Sequence, residues 1–164
     1  MAKNSFSWKG EKKFLNNFND EISQLQDRTL EGLIRAVIVL QRAAEPGTPI
    51  DTGNMRASWF TVTYKNDVSK RVFTKSGSFP KPNPQITAQH QAVKQAAQGA
   101  AELIGSDETP ILVFGYTANY SVIVHEMVDA NFQRSSAHAR WLYKALQVSK
   151  QQMLREIQKY SKFK

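Results

Sequence analysis

A chain of 164 residues with 41% apolar residues is long enough to bury one core and is expected to form a single domain. It has no cysteine, which excludes disulfides, thiolate chemistry and cysteine-ligated zinc, and its best apolar run, Leu33 to Leu40, falls far short of the ~20 residues of a membrane helix and contains Arg35. The net charge is +8, with eight basic against three acidic residues from Ile111 onward, which suits an anionic partner or, more simply, a solvated lysine-rich helix.

Residues 1–10 read as a loose N-terminal arm without the apolar segment of a secretory signal; Phe6 and Trp8 are its anchors, either onto a neighbouring subunit or back onto their own domain. The rest, 11–164, reads as one α+β domain. From Glu11 to Ala44 the apolar residues Leu15, Phe18, Ile22, Leu25, Leu33, Val37 and Leu40 recur at helical spacing. A helix of that length exceeds what one small domain needs, so part of it is expected to meet another chain, or the helix to break near Asp27-Arg28-Thr29. Pro46-Gly47 and Pro49 end it. Alternation then takes over: Ser58 to Tyr64 predicts a strand, Asn66-Asp67 a turn, and Arg71 to Thr74 a returning strand. Lys75 to Pro84 is a proline-rich loop, and Gln85 to Ile104 an alanine- and glutamine-rich helix with a thin apolar face, ended by Gly105. Together, 75–104 read as a mobile insertion. Pro110 to Tyr116 predicts a buried strand. Ala118 to Val128 predicts a helix with Tyr120, Ile123, Val124, Met127 and Val128 on one face. Ser135-Ser136 are expected to cap a last helix carrying Leu142, Leu146, Met153, Ile157 and Tyr160. The order predicts long N-terminal and C-terminal helices on a small, mainly antiparallel sheet, with an inserted loop and helix.

Catalytic motifs are incomplete. Asp51-Thr52-Gly53 matches the tripeptide of aspartic proteases, but those enzymes need two carboxylates sharing a proton; no second copy occurs here, and Arg56 would oppose proton sharing. His125 and Asp129, four residues apart, could share a metal on a helix, yet the chain shows no evident third ligand, and a solvated pair is the simpler reading. No phosphate loop or nucleophile elbow is present. The expectation is therefore a protein with no catalytic, cofactor or metal site.

The most specific stretch is Pro49-Ile50-Asp51-Thr52-Gly53-Asn54-Met55-Arg56-Ala57-Ser58. It resembles the signature of the tail-completion, neck or head-tail joining (minor tail) proteins of tailed bacteriophages. Two further stretches resemble the same family in the same order: Val113-Phe114-Gly115 with Tyr120 and Glu126, and Arg140 to Leu146 at the opening of the last helix. The chain departs from the family pattern after Glu126 and in its long segment 75–104. The resemblance implies a virion structural protein, made in the host cytoplasm and assembled into a homo-oligomeric ring of six-fold symmetry. Its neighbours would be the connector or adaptor and the tail terminator or tube, with genomic DNA passing through and no membrane involved. In that setting Asp51, Thr52 and Gly53 would shape the helix-to-strand turn, and Arg56 would pair with Asp51 or Glu126. A second reading, from the basic C-terminal segment, is a nucleic-acid-binding accessory protein.

Overall fold

The structure is a computed structural model that describes residues 11–49, 54–72, 84–106 and 109–162. The N-terminal arm with Phe6 and Trp8, the proline-rich loop and the signature residues Asp51, Thr52 and Gly53 lie outside them. Helix α1 (Glu11–Ala44) runs unbroken for 34 residues. Of the two alternatives for so long a helix, the break near Asp27-Arg28-Thr29 does not occur. The Thr29 hydroxyl donates to the Leu25 carbonyl at 2.9 Å, the Arg28 side chain donates to the Gln24 carbonyl at 3.2 Å, and Asp27 pairs with Lys65 at 2.8 Å. A 3₁₀ turn (Glu45–Gly47) follows, with Pro46 supplying the fixed φ of an early helical position.

A single helical turn, α2 (Asn54–Ala57), leads into the expected strand, β1 (Trp59–Thr63). Of the expected returning strand, Arg71 and Val72 lie in a helical turn instead, and Phe73 and Thr74 lie outside the described residues. Asp67 Oδ1 accepts hydrogen bonds from the Ser69 N–H at 2.8 Å and its hydroxyl at 2.5 Å, which nucleates the helical turn α3 (Ser69–Val72). The outer edge of β1 is satisfied by that turn: Val68 N–H donates to Thr61 O at 2.9 Å, and Ser69 Oγ accepts from Thr61 N–H at 2.9 Å. After α4 (Pro84–Ile104), the partner strand is β2 (Leu112–Tyr116), antiparallel to β1 with Trp59 opposite Tyr116 and Thr63 opposite Leu112. The two-stranded sheet of the described residues is thus closed across the insertion rather than by a local hairpin.

Every residue of β1 is buried, whereas β2 is half-buried throughout, less than its apolar run implied. One face, with Trp59, Leu112, Phe114 and Tyr116, packs on Leu30, Ile34 and Val37 of α1. Phe60 and Val62 are buried on the other face, and α4 packs against both strands. Its contribution is narrow, as its composition predicted: Ala101 is fully buried and Gln98 donates to the Thr63 carbonyl at 2.9 Å, while Val93, Leu103 and Ile104 remain exposed.

The helix expected from Ala118 to Val128 shortens to α5 (Ser121–Glu126), and most of its apolar side chains face outward. The last helix, α6 (Trp141–Tyr160), begins after Arg140, whose backbone takes the left-handed conformation at φ 55°. Ser135 and Ser136 therefore do not cap it; the Ser136 hydroxyl donates to the Pro46 carbonyl at 2.8 Å. Helix α6 runs antiparallel to α1. A Cβ on Gly32 would lie 3.1 Å from the Ile157 Cα, and one on Gly47 3.0 Å from the Trp141 Cβ, so small residues at both ends let the helices approach. Along α6 the buried residues are Trp141, Ala145 and Ser149, with Met153, Ile157 and Tyr160 half-buried, while Leu146 of the expected stripe is exposed.

Candidate functional site

Where α1 ends, the signature stretch, the sheet and the start of α6 converge. Met55 of α2 is buried with Leu40, Ala44 and Trp141. The Ser58 hydroxyl donates to the Met55 carbonyl at 2.8 Å, and the Ser58 carbonyl accepts from the Thr117 N–H at 2.8 Å. Tyr120 accepts from the Asn54 side-chain amide at 3.0 Å. Gly115 sits opposite Phe60, where an added Cβ would touch the ring at 3.4 Å. Pro49 is buried. Five signature residues (Met55, Arg56, Ser58, Gly115 and Tyr120) therefore gather at one joint through direct contacts or strand pairing.

Arg56 forms its described ion pair with Glu45, the first residue of the 3₁₀ turn. Arg134, from the loop before α6, reaches the same residue, donating to its backbone carbonyl at 3.1 Å with the carboxylate 3.8 Å away. Burial, and then the positive charge of Arg134, lowers the Arg56 pKa, yet a guanidinium with a carboxylate against it stays charged. Of the two partners expected for Arg56, Asp51 lies outside the described residues. Glu126 is engaged elsewhere, on an exposed surface, by His125 at 2.7 Å and Arg140 at 3.3 Å. Glu45 takes the role expected of Glu126, because the 3₁₀ turn carries it back over α2 whereas α5 points Glu126 toward the loop.

Beside this pair runs a directional chain of hydrogen bonds. Trp141 Nε1 donates to the Tyr116 hydroxyl at 3.2 Å; Thr48 Oγ1 lies 3.1 Å from the same oxygen and 3.0 Å from the Ala44 carbonyl. A threonine hydroxyl has one proton, so with that proton on the Ala44 carbonyl, Tyr116 donates to Thr48. Burial pushes the Tyr116 hydroxyl pKa up, outweighing the opposite pull of Thr48, Trp141 and Arg56, so it stays protonated. Aromatic rings complete the joint: Trp59 meets Tyr116 edge-on at 5.1 Å, Tyr116 meets Trp141 at 6.0 Å, and Trp141 meets His125 at 4.7 Å. The space left between Gln41, Glu45, Thr48, Arg56, Trp59 and Tyr116 is about 10 Å³, room for no more than one water. This arrangement is a clamp. It offers no nucleophile with a base beside it, and the space enclosed between those six residues is too small for a substrate.

Among the described residues no three metal-ligating side chains cluster. Helix α5 ends at Glu126, so His125 and Asp129 do not share a helical face. Outside the clamp, Val122, Ile123, Met127 and Val128 are exposed beside a groove of about 230 Å³ lined by Gly115, Tyr116, Ser121, Val122, His125, Trp141 and Leu142. Compared with known proteins, the chain matches no family model, no curated protein and no solved structure.

Sequence reading missed Glu45, Thr48, Tyr116, Arg134 and Trp141. A signal existed for Glu45, a lone acid directly before Pro46-Gly47 and eleven residues from the arginine it holds. Arg134 is 89 residues from Glu45, and no local pattern announces such a pairing.

Proposed function

We propose that this chain is a structural protein of a tailed-phage virion: a ring subunit that completes the tail, joins it to the head connector, lines part of the DNA conduit and has no catalytic activity of its own. The observation that carries the reading is the use made of the signature-like residues. Met55, Arg56 and Ser58 are spent on holding the end of α1 to the sheet, as a rigid building block requires, rather than displayed around a cavity. Its partners are then copies of itself in a six-fold ring, the connector or adaptor on one side and the tail terminator or tube on the other. Among the described residues no helix is long and apolar enough to cross a membrane.

The test is imaging of the virion with the subunit labelled. A closed ring of this protein on the tail axis is the expected result. A subunit isolated or off that axis overturns the reading, as does peptide cleavage by the intact chain that Asp51→Asn abolishes.

One observation favours the second reading, a nucleic-acid-binding accessory protein. Lys144, Lys150, Arg155, Lys159 and Lys162 of the last helix and its end are ion-paired to no described residue, whereas cations near the sheet are matched by Glu31, Glu45, Asp27 and Asp67. A salt-sensitive DNA complex formed by a monomer that never assembles would select it.

A further inference from the structure

Two apolar stripes sit on the surface at opposite ends of the α1–α6 pair. The first is on α1, where Leu15 and Phe18 are 46% and 53% exposed and Ile22 and Leu25 are half-buried. It continues the line of Gly32, Ala36 and Leu40, but α6 ends at Tyr160, level with Gly32, so α1 runs on past it. The second is on α6: Tyr143 at 55%, Leu146 at 43% and Leu154 at 42% exposed, with exposed Lys150 among them. The stripes run about 15 Å and about 17 Å at about 1.5 Å per residue; the first has the three- and four-residue spacing of a helix seam, and the second keeps it with Lys150 standing between Leu146 and Leu154.

Each stripe carries one charge at its middle, and the signs are opposite. Glu21 flanks the first between Phe18 and Ile22; Lys150 lies in the second between Leu146 and Leu154. Neither is ion-paired to a described residue. A two-fold contact of the first stripe with itself would bring Glu21 toward Glu21, and one of the second would bring Lys150 toward Lys150. Either places like charges together as apolar surface closes, whereas head-to-tail pairing places Glu21 against Lys150. Gly32 is level with Ile157 and Tyr160, so even the facing ends of the stripes, Leu25 and Leu154, lie roughly 15 Å apart along the pair at about 1.5 Å per residue, and they meet only between copies.

We propose that the projecting part of α1, with Leu15, Phe18, Ile22 and Leu25, docks on Tyr143, Leu146 and Leu154 of a second copy, with Glu21 against Lys150 in the seam. This inference rests on the ring reading and names its contact: identical head-to-tail contacts close into a ring or run on as a filament.

The chain has no cysteine, which makes the test direct. Phe18→Cys and Leu146→Cys are prepared as separate proteins, mixed, and joined by a short bismaleimide. The mixture is expected to give mixed dimers, and neither protein alone a comparable yield. In parallel, Glu21→Lys and Lys150→Glu are each expected to weaken self-association at least ~10-fold, and the double variant to recover to within ~3-fold of wild type. Circular dichroism shows that each variant is folded. Oligomers without the mixed cross-link overturn this contact and leave the ring reading standing. Phe18→Cys linking chiefly to itself, a double variant no better than the singles, or oligomers dissolved by nuclease also overturn it. A wild-type chain monomeric at every concentration overturns the contact and removes self-assembly from the ring reading.

Discussion

The two halves of α1 are one helix with one apolar rhythm and opposite fates. Toward its C-terminus Leu30, Ile34, Val37 and Leu40 are all under a tenth exposed, against β1, β2 and the start of α6. Toward its N-terminus, Leu15 and Phe18 stand about half exposed. The spacing of apolar residues reports which side of a helix can be buried; whether it is buried depends on what arrives opposite. Helix α6 arrives at Trp141 and stops at Tyr160.

The largest expected effect is at the buried end. Trp141 is 1% exposed and joins α6 to Tyr116, His125 and the end of α1, so Trp141→Ala is expected to cost about 3–5 kcal/mol in denaturant unfolding. A loss below about 1 kcal/mol would mean the joint is not where the fold is held. Arg56→Met comes next, at about 2 kcal/mol, because Glu45 would keep only the more distant Arg134; the side chains of the pair are 11% and 20% exposed, which discounts the full cost of breaking a buried pair. Gly32→Val, at the boundary between the halves, forces a side chain against Ile157 and Tyr160 and is expected to cost about 1–3 kcal/mol. Gly99→Ala, which meets open space on α4, should gain about 0.5–1 kcal/mol. Equal effects at the two glycines would argue against close approach of α1 and α6.

Acid sharpens the same boundary. Burial pushes the Glu31 carboxyl up, but hydrogen bonds from Arg71 and Arg35 outweigh it and hold its pKa below the ordinary 4.5. Its folded pKa is thus below its unfolded one, so its contribution is present at neutral pH and fades as pH falls below 4.5 and through the lower folded value. Glu31→Gln should therefore be less stable than wild type at neutral pH, with the gap shrinking in acid; a gap independent of pH would exclude this ion-paired role. The smallest effect belongs to the projecting half. Leu15→Ala is expected to change unfolding by less than about 0.5 kcal/mol, since little burial is lost and alanine favours helix. A larger loss would show that Leu15 packs within its own chain.

Much of the architecture was legible before the structure. The bounds of α1 follow from an uninterrupted helical rhythm closed by Pro46 and Pro49, and β1 from β-branched and aromatic alternation, both local signals. The ends of α4 follow from Pro84 and Gly105. The site was only partly legible. Met55, Arg56, Ser58, Gly115 and Tyr120 stand out in the sequence as signature residues; of the partners it suggests for Arg56, Glu126 is engaged elsewhere and Asp51 lies outside the described residues, while nothing local assigns Trp141 its role.

By itself, then, the sequence determined the long helices α1, α4 and α6 and the strands β1 and β2, which side of α1 is apolar, and that the fold is α+β. Those depend on neighbours within a few residues, where backbone sterics and side-chain spacing act. Only the tertiary structure decided that β1 pairs with β2 across the insertion rather than with the segment after Asn66. There, Asp67 accepts from the Ser69 N–H and hydroxyl, which commits residues 69–72 to a helical turn. It alone decided that Glu45, not Glu126, pairs with Arg56, that Trp141 closes on Tyr116, and that α6 covers one half of α1 and ends before the other. Each is a choice among partners of equal local merit, and shape, burial and charge across tens of residues settle it.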